Sequence, residues 1–410
     1  MRRIIASLDV GSNTIKLVVL ELYKKCVNVL AVNEVPSGGI KKGIVINQDL
    51  AYEALEELFN RTKKTLDLDI NEVVVNVSAN DLETILVSGE VLVNDLDNPV
   101  VTPDLISKVL KNAAEYKVSD NRMIVNISPI KFKVDDMDTI NPIGLTGTKL
   151  KVKAVLNSVP KKNFYGILSV LSKLNVEVVD YSISGQADYY TYHKDKQDNE
   201  CGVVINIGCD TTNVSILNKG IVTSSSILDI GGASIDSDLA YVYNISKNDG
   251  KLVKEKIGLA ISTNASIKET YNLTNKNDEL ITVNQKECSL VIESRLKEVL
   301  EYAKKEINNL TKKPISYIII TGGISELKDF NLLIESIFGS EVILGSIPIM
   351  GVRNNKYSTC IGLAKYFDYK LRLRKEEYSA FSDDELKSLT RHSHNGNKVF
   401  DKIFGYFFEN

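Results

Sequence analysis

The chain has 410 residues, of which 43% are hydrophobic and 25% are charged, a composition typical of globular proteins with about two to four domains. Its formal net charge of -3 excludes a global positive field of the kind that attracts nucleic acid, so no nucleic-acid partner is expected. The five cysteines are scattered and include no CxxC pair, which argues against structural zinc and indicates a reducing compartment.

The first 80 residues are predicted to form an α/β unit. The apolar run IIASLDV is interrupted at Asp9, so it reads as a buried first strand rather than as a signal peptide. A Gly-Ser-Asn turn follows, then the strands TIKLVVLEL and VNVLAVNEV, and then a helix over Asp49–Leu66 with Asn47 as its N-cap. The β-branched run VVVNVS indicates a strand that is buried on both faces.

A different pattern begins near residue 81 and ends near residue 157. Strands at ETILVSGEVLV, MIVNISPIKFKV and TKLKVKAVLN surround one helix, Pro103–Glu115. This arrangement indicates a small α+β unit inserted between two parts of a larger domain. Beyond the insertion, the sequence predicts helices over Lys161–Leu174 and Gly185–His193, followed by the strand GVVINIG.

The stretch from Gly231 to about Pro314 is predicted to be mostly helical, with an NLTNKND loop and a long amphipathic helix over Glu287–Leu310. The run YIIITGG then returns to a strand and a glycine turn. The segment from Asp368 to Asn397 is charged and then rich in Ser, His and Asn, which predicts a linker. No stretch approaches the ~20 apolar residues that a membrane-spanning helix needs, so any membrane contact is expected to lie along the surface.

Two parts of the chain begin alike, which is its most informative feature. IIASLDVGSNTIKLVVL and VVINIGCDTTNVSIL both contain an apolar strand, a polar turn with glycine and a second strand. Two such turns that face each other can hold a nucleoside triphosphate, because small residues let backbone N–H groups approach phosphate oxygens. Either turn alone is more often a simple hairpin, but the duplication favours a binding site.

The first turn is expected to supply N–H donors from Gly11, Ser12 and Asn13, and Lys16 can neutralise phosphate charge. Asp9 suits a hydrated Mg²⁺, which usually keeps several waters and takes one or two carboxylates. The second turn offers Gly208, Cys209, Asp210, Thr211 and Thr212.

These motifs resemble those of the actin/Hsp70/hexokinase superfamily and, within it, the FtsA family of bacterial cell-division proteins. DVGSNTIKLVV is similar to the first phosphate motif of that family, NIGCDTTNVSI to the second, and TGGI to the adenosine motif. GGASIDSDLA and VIESRLKEVLEYAKKEI are also similar to FtsA segments, and the insertion ending NPIGLTGTKLKVKA is similar to the subdomain that distinguishes FtsA from actin. The resemblance implies ATP as a ligand and adds Gly231, Gly232, Lys254, Gly322, Gly323 and Ile324 to its site.

The implied fold is α/β, with two actin-like (ribonuclease H-like) halves around a nucleotide cleft. Subdomain 1A is expected to comprise residues 1–80 and 158–205, and the inserted subdomain 1C residues 81–157. Subdomain 2A is expected to comprise residues 206–232 and 315–369, and subdomain 2B residues 233–314. A flexible linker over residues 370–397 is expected to lead to an amphipathic membrane-targeting helix over residues 398–410.

The chain departs from the family pattern where catalysis would occur. The family usually has Asp at the position of Asn206, and Asn neither binds a metal-bound water as a carboxylate does nor accepts its proton. ATP binding is therefore expected to survive while hydrolysis is slow, at most a weak ATPase activity. Gln186 falls where actin carries a glutamine that orients water, although a glutamine at an ordinary helix position is the simpler explanation. Lys251 stands where a ribose-binding glutamate is often found.

The last residues are predicted to form a short amphipathic helix. Its apolar half consists of Val399, Phe400, Ile403, Phe404, Phe407 and Phe408. Because Lys and acidic charges balance there, aromatic burial rather than attraction to anionic lipid must drive adsorption to a bilayer surface. One such helix should bind reversibly, so stable attachment implies a filament that carries many of them. The alternative is a helix that docks onto its own domain.

The function implied by the resemblance is an ATP-binding adaptor that polymerises on the cytoplasmic face of the membrane at the division septum. It would recruit FtsZ filaments by binding the FtsZ C-terminal tail near Glu293, Arg295 and Lys297, a charge set that a solvated helix face also explains. A second hypothesis is an exopolyphosphatase-type enzyme, because GSNTIKLVV resembles that phosphate motif too. A third is a pilus-assembly adaptor that binds the tail of a membrane protein.

Overall fold

The computed structural model describes residues 2–24, 26–93, 99–116, 118–382 and 385. The N-terminal part begins with an antiparallel meander, continues through a small hairpin and a helix, and ends in a buried strand. Its elements are β1 (Arg2–Val10), β2 (Thr14–Tyr23), β3 (Cys26–Pro36), β4 (Ile40–Lys41), β5 (Ile44–Val45), α1 (Gln48–Leu66) and β6 (Glu72–Val77). As predicted, Asn47 caps α1 by accepting the N–H groups of Asp49 and Leu50.

The insertion is a four-stranded antiparallel sheet covered by one helix. Its elements are β7 (Glu83–Leu92), α2 (Pro103–Ala114), β8 (Arg122–Val134), β9 (Met137–Thr139) and β10 (Lys149–Pro160), and its strand order is β7-β10-β8-β9. The buried Arg122 guanidinium stands at the base of this sheet, where it pairs with Asp81 and Glu83 and donates to the carbonyl of Ser158. The insertion is the small α+β unit that the sequence predicted, and Ile106, Phe132 and Leu150 belong to a hydrophobic core of its own.

The chain then returns to the first sheet before it builds the second half. The connecting elements are α3 (Lys162–Lys173), β11 (Glu177–Ile183) and α4 (Ser184–Tyr192). The second half contains β12 (Cys201–Ile207), β13 (Thr212–Asn218), β14 (Ile221–Leu228), α5 (Gly232–Val242), α6 (Lys247–Ile257), β15 (Thr270–Thr274), β16 (Leu280–Asn284), α7 (Gln285–Leu310), β17 (Tyr317–Thr321), α8 (Phe330–Phe338), β18 (Val342–Leu344) and α9 (Ser358–Arg374).

The two halves are built on sheets of the same topology. The first sheet has the order β11-β6-β1-β2-β3, and the second has the order β18-β17-β12-β13-β14. In each, a three-stranded antiparallel meander is extended by two parallel strands. The internal duplication predicted from the sequence is therefore present in the fold. The central strands β1 and β12 are almost wholly buried, because helices cover both faces of each sheet.

Two segments differ from their sequence-based predictions. The NLTNKND stretch is not a plain loop, since its first residues belong to β15, which pairs with β16 in a hairpin. Helix α9 continues to Arg374, into the stretch that looked like a linker, because Tyr366, Phe367 and Leu371 are buried against the first half. Beyond this helix, Phe381 is also buried. The predicted helix over residues 398–410 lies outside the described residues.

Candidate nucleotide-binding cleft

A cleft of about 900 Å³ lies between the two halves, at the ends of the strand–turn–strand units. Its volume is within the range of about 300–1,000 Å³ that is usual for small-molecule sites. The cleft brings together most of the residues that the sequence predicted to bind the nucleotide. Those that line it are Asp9, Gly11, Ser12, Asn13, Lys16, Gly208, Asp210, Thr211, Gly232, Lys254, Gly322, Gly323 and Ile324.

A buried ion pair, supported by the amide of Asn76, lies at the base of the first turn. Asp9 on β1 and Lys16 on β2 are register partners, and the Lys16 Nζ lies 2.9 Å from the Asp9 Oδ2. The Asn76 amide donates to the other carboxylate oxygen at 2.8 Å, and its own oxygen accepts the Val10 N–H. Asn76 was not predicted as a site residue, although it is the one polar residue within the β-branched run before Ser78. It fixes the direction in which Asp9 points.

The charge of Lys16 is maintained despite its burial. Desolvation alone would lower the pKa of its ammonium group, but the adjacent Asp9 carboxylate outweighs this effect and the pKa is raised. Lys16 therefore keeps a full positive charge at neutral pH. Because this charge sits at the cleft wall beside the Gly11 turn, it can be offered to an anionic ligand.

In the first turn, the backbone at Gly11 lies close to the backbone at Thr14. A Cβ atom at Gly11 would lie 2.7 Å from the carbonyl oxygen of Thr14, so a larger residue would force the turn apart. The Asn13 carbonyl accepts the N–H of Ser37, which ties the turn to the segment after β3. Gly11, Ser12 and Asn13 thus form a short, braced backbone segment at the cleft surface, which suits an anion-binding nest.

The second turn is closed by a hydrogen bond from the Gly208 N–H to the Thr211 carbonyl at 2.9 Å. The N-terminus of α5 lies directly behind it, since the Gly232 N–H donates to the Gly208 carbonyl. Gly231 permits this approach, because a Cβ there would lie 2.5 Å from the Cys209 carbonyl oxygen. A helix N-terminus carries partial positive charge, so α5 favours an anion at this end of the cleft.

Two residues of the predicted set stand behind the cleft surface rather than on it. Thr212 is fully buried, and its hydroxyl donates to the carbonyl of Ile230 at 2.8 Å. Gly231 supports the second turn as just described. Both residues shape the site without lining it, so the ligand contacts predicted for them are replaced by a structural role.

The far end of the cleft is formed by α6 and by the turn after β17. The Lys254 Nζ pairs with Asp236 at 2.5 Å and donates to the Gly232 carbonyl, and both ionic side chains are almost fully buried. Gly322 has a φ of +98°. A Cβ there would meet the Ile207 carbonyl oxygen at 2.4 Å, so glycine is required for both reasons. Lys251, which stands where the family often has a ribose-binding glutamate, also lines the cleft.

Gln186 is not where the predicted role requires it to be. Its side chain is buried, its Nε2 donates to the Gly220 carbonyl at 2.8 Å, and its Oε1 accepts the Val222 N–H at 3.0 Å. Both ends of the amide are therefore used to hold the hairpin between β13 and β14. The residue does not line the cleft, so the suggestion that it orients a water there is corrected to a structural role.

Asp188, two residues further along α4, is a site residue that the sequence did not reveal. It is fully buried and accepts hydrogen bonds from Asn206 at 2.6 Å, Ser358 at 2.8 Å and Thr359 at 2.9 Å. Burial raises the pKa of this carboxyl to about 6, and the three donors only partly oppose the rise. Asn206 and Thr359 line the cleft, so Asp188 lies one layer behind its wall.

Asp9 is the candidate ligand for a metal ion. Within the described ranges, no group of three or more His, Cys, Asp or Glu side chains is placed to hold a metal by itself. A single carboxylate nevertheless fits Mg²⁺, which commonly binds one or two carboxylates, several waters and the phosphates of its nucleotide. Both oxygens of Asp9 already accept hydrogen bonds, which favours contact through a metal-bound water.

The charged residues predicted as a partner site lie on α7. Arg295 makes a bidentate pair with Asp238 of α5 and also contacts Glu298. Glu293 pairs with Lys297 and accepts the Ser262 N–H at 2.7 Å. Burial would raise the pKa of Glu293, but these two partners lower it overall. A groove of about 370 Å³ runs beside them, lined by Asp238, Leu290, Val291, Ser294, Arg295 and Glu298.

Comparison with known proteins decides the family. Residues 203–362 match the family described as Cell division protein FtsA, and residues 79–157 match the SHS2 domain inserted in FtsA. The Cell division protein FtsA of Bacillus subtilis is 25% identical over 364 residues, which are 88% of this chain and 82% of the relative. The chain belongs to the FtsA family. It is thus an actin-like cell-division protein, and its insertion is the SHS2 domain of FtsA.

Solved structures agree with this FtsA-family assignment at the level of the fold. A chain of the PilM-PilN type IV pilus biogenesis complex aligns with a TM-score of 0.57 at 16% identity, covering 88% of this chain and 97% of that one. MreB 5 of Spiroplasma citri bound to AMPPNP aligns with a TM-score of 0.53 at 12% identity, covering 90% and 97%. These likenesses show the actin-like fold.

The membrane-contact residues predicted for this FtsA-family chain fall beyond the part of the fold described above. Val399, Phe400, Ile403, Phe404, Phe407 and Phe408 lie outside the described residues. Among the helices that the structure does describe, none is both long and apolar enough to span a bilayer.

Proposed function

We propose that the cleft binds ATP together with Mg²⁺. The observation that carries this proposal is the meeting of the two duplicated turns in one cavity of suitable size, in a chain of the FtsA family. The backbone of Gly11, Ser12 and Asn13 would receive one side of the phosphates, and Lys16 would neutralise their charge. The backbone of the second turn, over Gly208, Asp210 and Thr211, would receive the other side.

The adenine and the metal ion would be held by other residues along the cleft. The adenine would lie over the turn formed by Gly322, Gly323 and Ile324, next to the Lys254–Asp236 pair. Asp9 would hold the metal through water, and the metal would neutralise charge between the phosphates. Gln186 is left out of this proposal because its amide is already engaged.

ATP turnover is proposed to be slow. Asn206 lines the cleft on the second sheet, and its amide has no capacity to accept a proton from water at neutral pH. The chain is therefore better described as an ATP-dependent assembly protein than as an efficient ATPase. Calorimetric binding of Mg·ATP with only slow phosphate release would support this view, whereas phosphate release at many turnovers per minute would contradict it.

We further propose that the protein polymerises on the cytoplasmic face of the cell membrane at the septum. The six apolar residues from Val399 to Phe408 would insert their side chains at the bilayer surface, as the sequence pattern suggests. A filament would present many such helices at once and so convert weak adsorption into stable attachment. Membership of the FtsA family supports this reading over the exopolyphosphatase and pilus-adaptor alternatives.

The groove on α7 is the proposed site for the C-terminal tail of FtsZ. It presents the apolar side chains of Leu290 and Val291, whereas the Arg295 guanidinium is held by Asp238 and Glu298, so apolar residues of the tail would supply most of the contact. Binding of a fluorescent tail peptide should fall at least severalfold in Leu290→Ser. Leu280→Ser is a matched control, since that leucine is exposed on β16 and does not line the groove. Equal losses in both variants would contradict this site.

Membrane attachment is tested by sedimentation with liposomes. With ATP, the full chain should pellet with vesicles and carry FtsZ with it, and a chain that ends before Val399 should remain in the supernatant. Phe404→Ser should act like the truncation, whereas Tyr406→Ser, on the polar half of the predicted helix, should have little effect. Pelleting of the truncated chain at the full-length level would contradict the proposed anchor.

A further inference from the structure

The duplicated sheets make Asp9 and Asn206 equivalent residues. Each is the last residue but one of the central strand, β1 in the first half and β12 in the second. Each is paired across the antiparallel neighbour, Asp9 with Lys16 and Asn206 with Asn213. The first half thus presents a carboxylate to the cleft at this position, and the second half presents an amide.

A carboxylate is nevertheless present behind the amide. The Asn206 Nδ2 donates to the Asp188 Oδ2 at 2.6 Å, while the Asp188 Oδ1 accepts the hydroxyls of Ser358 and Thr359. Asp188 is fully buried, and the negative charge of Asp9 is near enough to affect it. The carboxylate of the second half that lies nearest this strand position is therefore set one layer deeper, on α4.

The hydrogen bond between the two residues fixes how the Asn206 amide is turned. With its NH₂ group held by Asp188, the amide directs Oδ1 towards Gly322, where an added Cβ would lie 2.7 Å from that oxygen. The opposite orientation would bring the amide oxygen against a carboxylate oxygen, with no proton between them. Gly322 itself lines the cleft, so the acceptor end of Asn206 is on the ligand side.

We propose that Asp188 is the positioning residue of the cleft's second half: it holds Asn206 with its carbonyl oxygen towards the ligand and keeps the negative charge of the pair behind the wall. This inference rests on the proposed binding of Mg·ATP. The pair provides a hydrogen-bond acceptor for metal-bound water or a ligand hydroxyl without placing a carboxylate at the strand position equivalent to Asp9.

An exchange of the two residues tests the idea without loss of a hydrogen bond. In the double variant Asp188→Asn/Asn206→Asp, the new amide on α4 would accept from Ser358 and Thr359 through its oxygen and donate through its NH₂ group to the new carboxylate on β12. The single variant Asn206→Asp instead places two carboxylates in contact with no donor between them. Without nucleotide, the single variant should unfold at a clearly lower temperature at pH 7.5, and addition of Asp188→Asn should restore most of the loss.

The binding readout is the ratio of the ATP dissociation constant in EDTA to that in Mg²⁺, measured by calorimetry. The exchange moves one unit of negative charge to the cleft surface, which repels metal-free ATP and attracts the cation. The ratio should therefore rise at least about tenfold over the wild-type ratio. Ser358→Ala is the matched control, because it removes one donor to Asp188 and leaves the contact with Asn206 intact. Its ratio should stay at the wild-type value.

The outcomes separate this inference from the proposed function. If the wild-type chain binds no ATP, the proposed function fails, while the unfolding temperatures still test the Asp188–Asn206 pair. If the wild type binds Mg·ATP but the exchanged chain shows the same Mg²⁺ ratio, the positioning role is overturned. An Asn206→Asp variant as stable as wild type would overturn it as well, since the two side chains would then not be in contact.

Discussion

Lys42, which lines the cleft, and Asp229 join the two halves of the molecule, with charged atoms 2.6 Å apart. Lys42 follows β4, and Asp229 follows β14. Both side chains are substantially exposed, at 41% and 66%, so the pair contributes little to folding stability. Because the pair links the two halves, we expect it to oppose opening of the cleft when a ligand is bound.

We expect Lys42→Ala to speed nucleotide dissociation, because one contact that must break for opening is already lost. The effect should reach at most about fivefold, the limit for an exposed ion pair. Stopped-flow release of a fluorescent ATP analogue measures it. Lys131→Ala is the control, since Lys131 forms a similarly exposed pair with Asp138 on the insertion. The reversed pair Lys42→Asp/Asp229→Lys should recover the slow rate, and a reversed pair as fast as the alanine variant would contradict the role.

Lys16→Met should abolish most ATP binding. A charge-assisted hydrogen bond contributes about 1.5–3 kcal/mol, which corresponds to a loss of at least about tenfold in affinity. The variant should also be less stable, by about 3–5 kcal/mol, because Asp9 would remain buried without its cation. Calorimetry and chemical unfolding measure the two effects.

The double variant Asp9→Asn/Lys16→Met separates binding from folding. It removes both charges of the pair, so much of the lost stability should return while ATP affinity stays low. Wild-type affinity in the double variant would show that Lys16 does not meet the phosphates.

Much of the fold could be predicted because local patterns and global structure agree. The strand–turn–strand units, the Asn47 cap and the long α7 helix all follow from periodicity and turn chemistry. Glycines at Gly11 and Gly322 were assigned to the site from sequence, and the close contacts at both explain why glycine is needed there. Such features depend on neighbouring residues along the chain.

The errors depend on contacts between distant segments. Gln186 and Asp188 are two residues apart on α4 and point in different directions, about 200° apart around the helix axis. The sequence does not reveal which of them faces the second sheet, because that depends on how α4 packs. Asn76 was missed for a similar reason, since its role arises only where β6 lies beside β1. The C-terminal part of α9 looked like a linker because charged residues surround the buried Leu371 in the sequence and obscure its apolar pattern.

Adjacent glycines in the turn after β17 should respond differently to the same substitution. Gly322→Ala should lower the unfolding temperature, because of the positive φ and because the new Cβ would meet the Ile207 carbonyl at 2.4 Å. Gly323→Ala should fold normally, since among the described residues, apart from its two chain neighbours, no heavy atom lies within 4 Å of its added Cβ. If the adenine lies over this turn, Gly323→Ala should still weaken ATP binding. Equal unfolding temperatures for the two variants would contradict the described backbone.

Asp188 should make stability depend on pH between about 4 and 6. Burial raises the pKa of this carboxyl from 3.8 to about 6, so the folded state holds its proton more tightly than the unfolded state does. Stability is therefore lost as pH rises through this window and levels off above it. That rise in pKa corresponds to about 3 kcal/mol.

Asp188→Asn removes this titration, so comparison with the wild type isolates it. The stability of the variant relative to the wild type should increase by up to about 3 kcal/mol as pH rises from about 4 to about 7, because only the wild type must then bury a charge. Chemical unfolding at several pH values measures the difference. Asp238→Asn is a control on α5, where the carboxylate is held by Arg295 instead of being buried without a cation. A constant difference between Asp188→Asn and wild type across this range would mean that Asp188 does not titrate there.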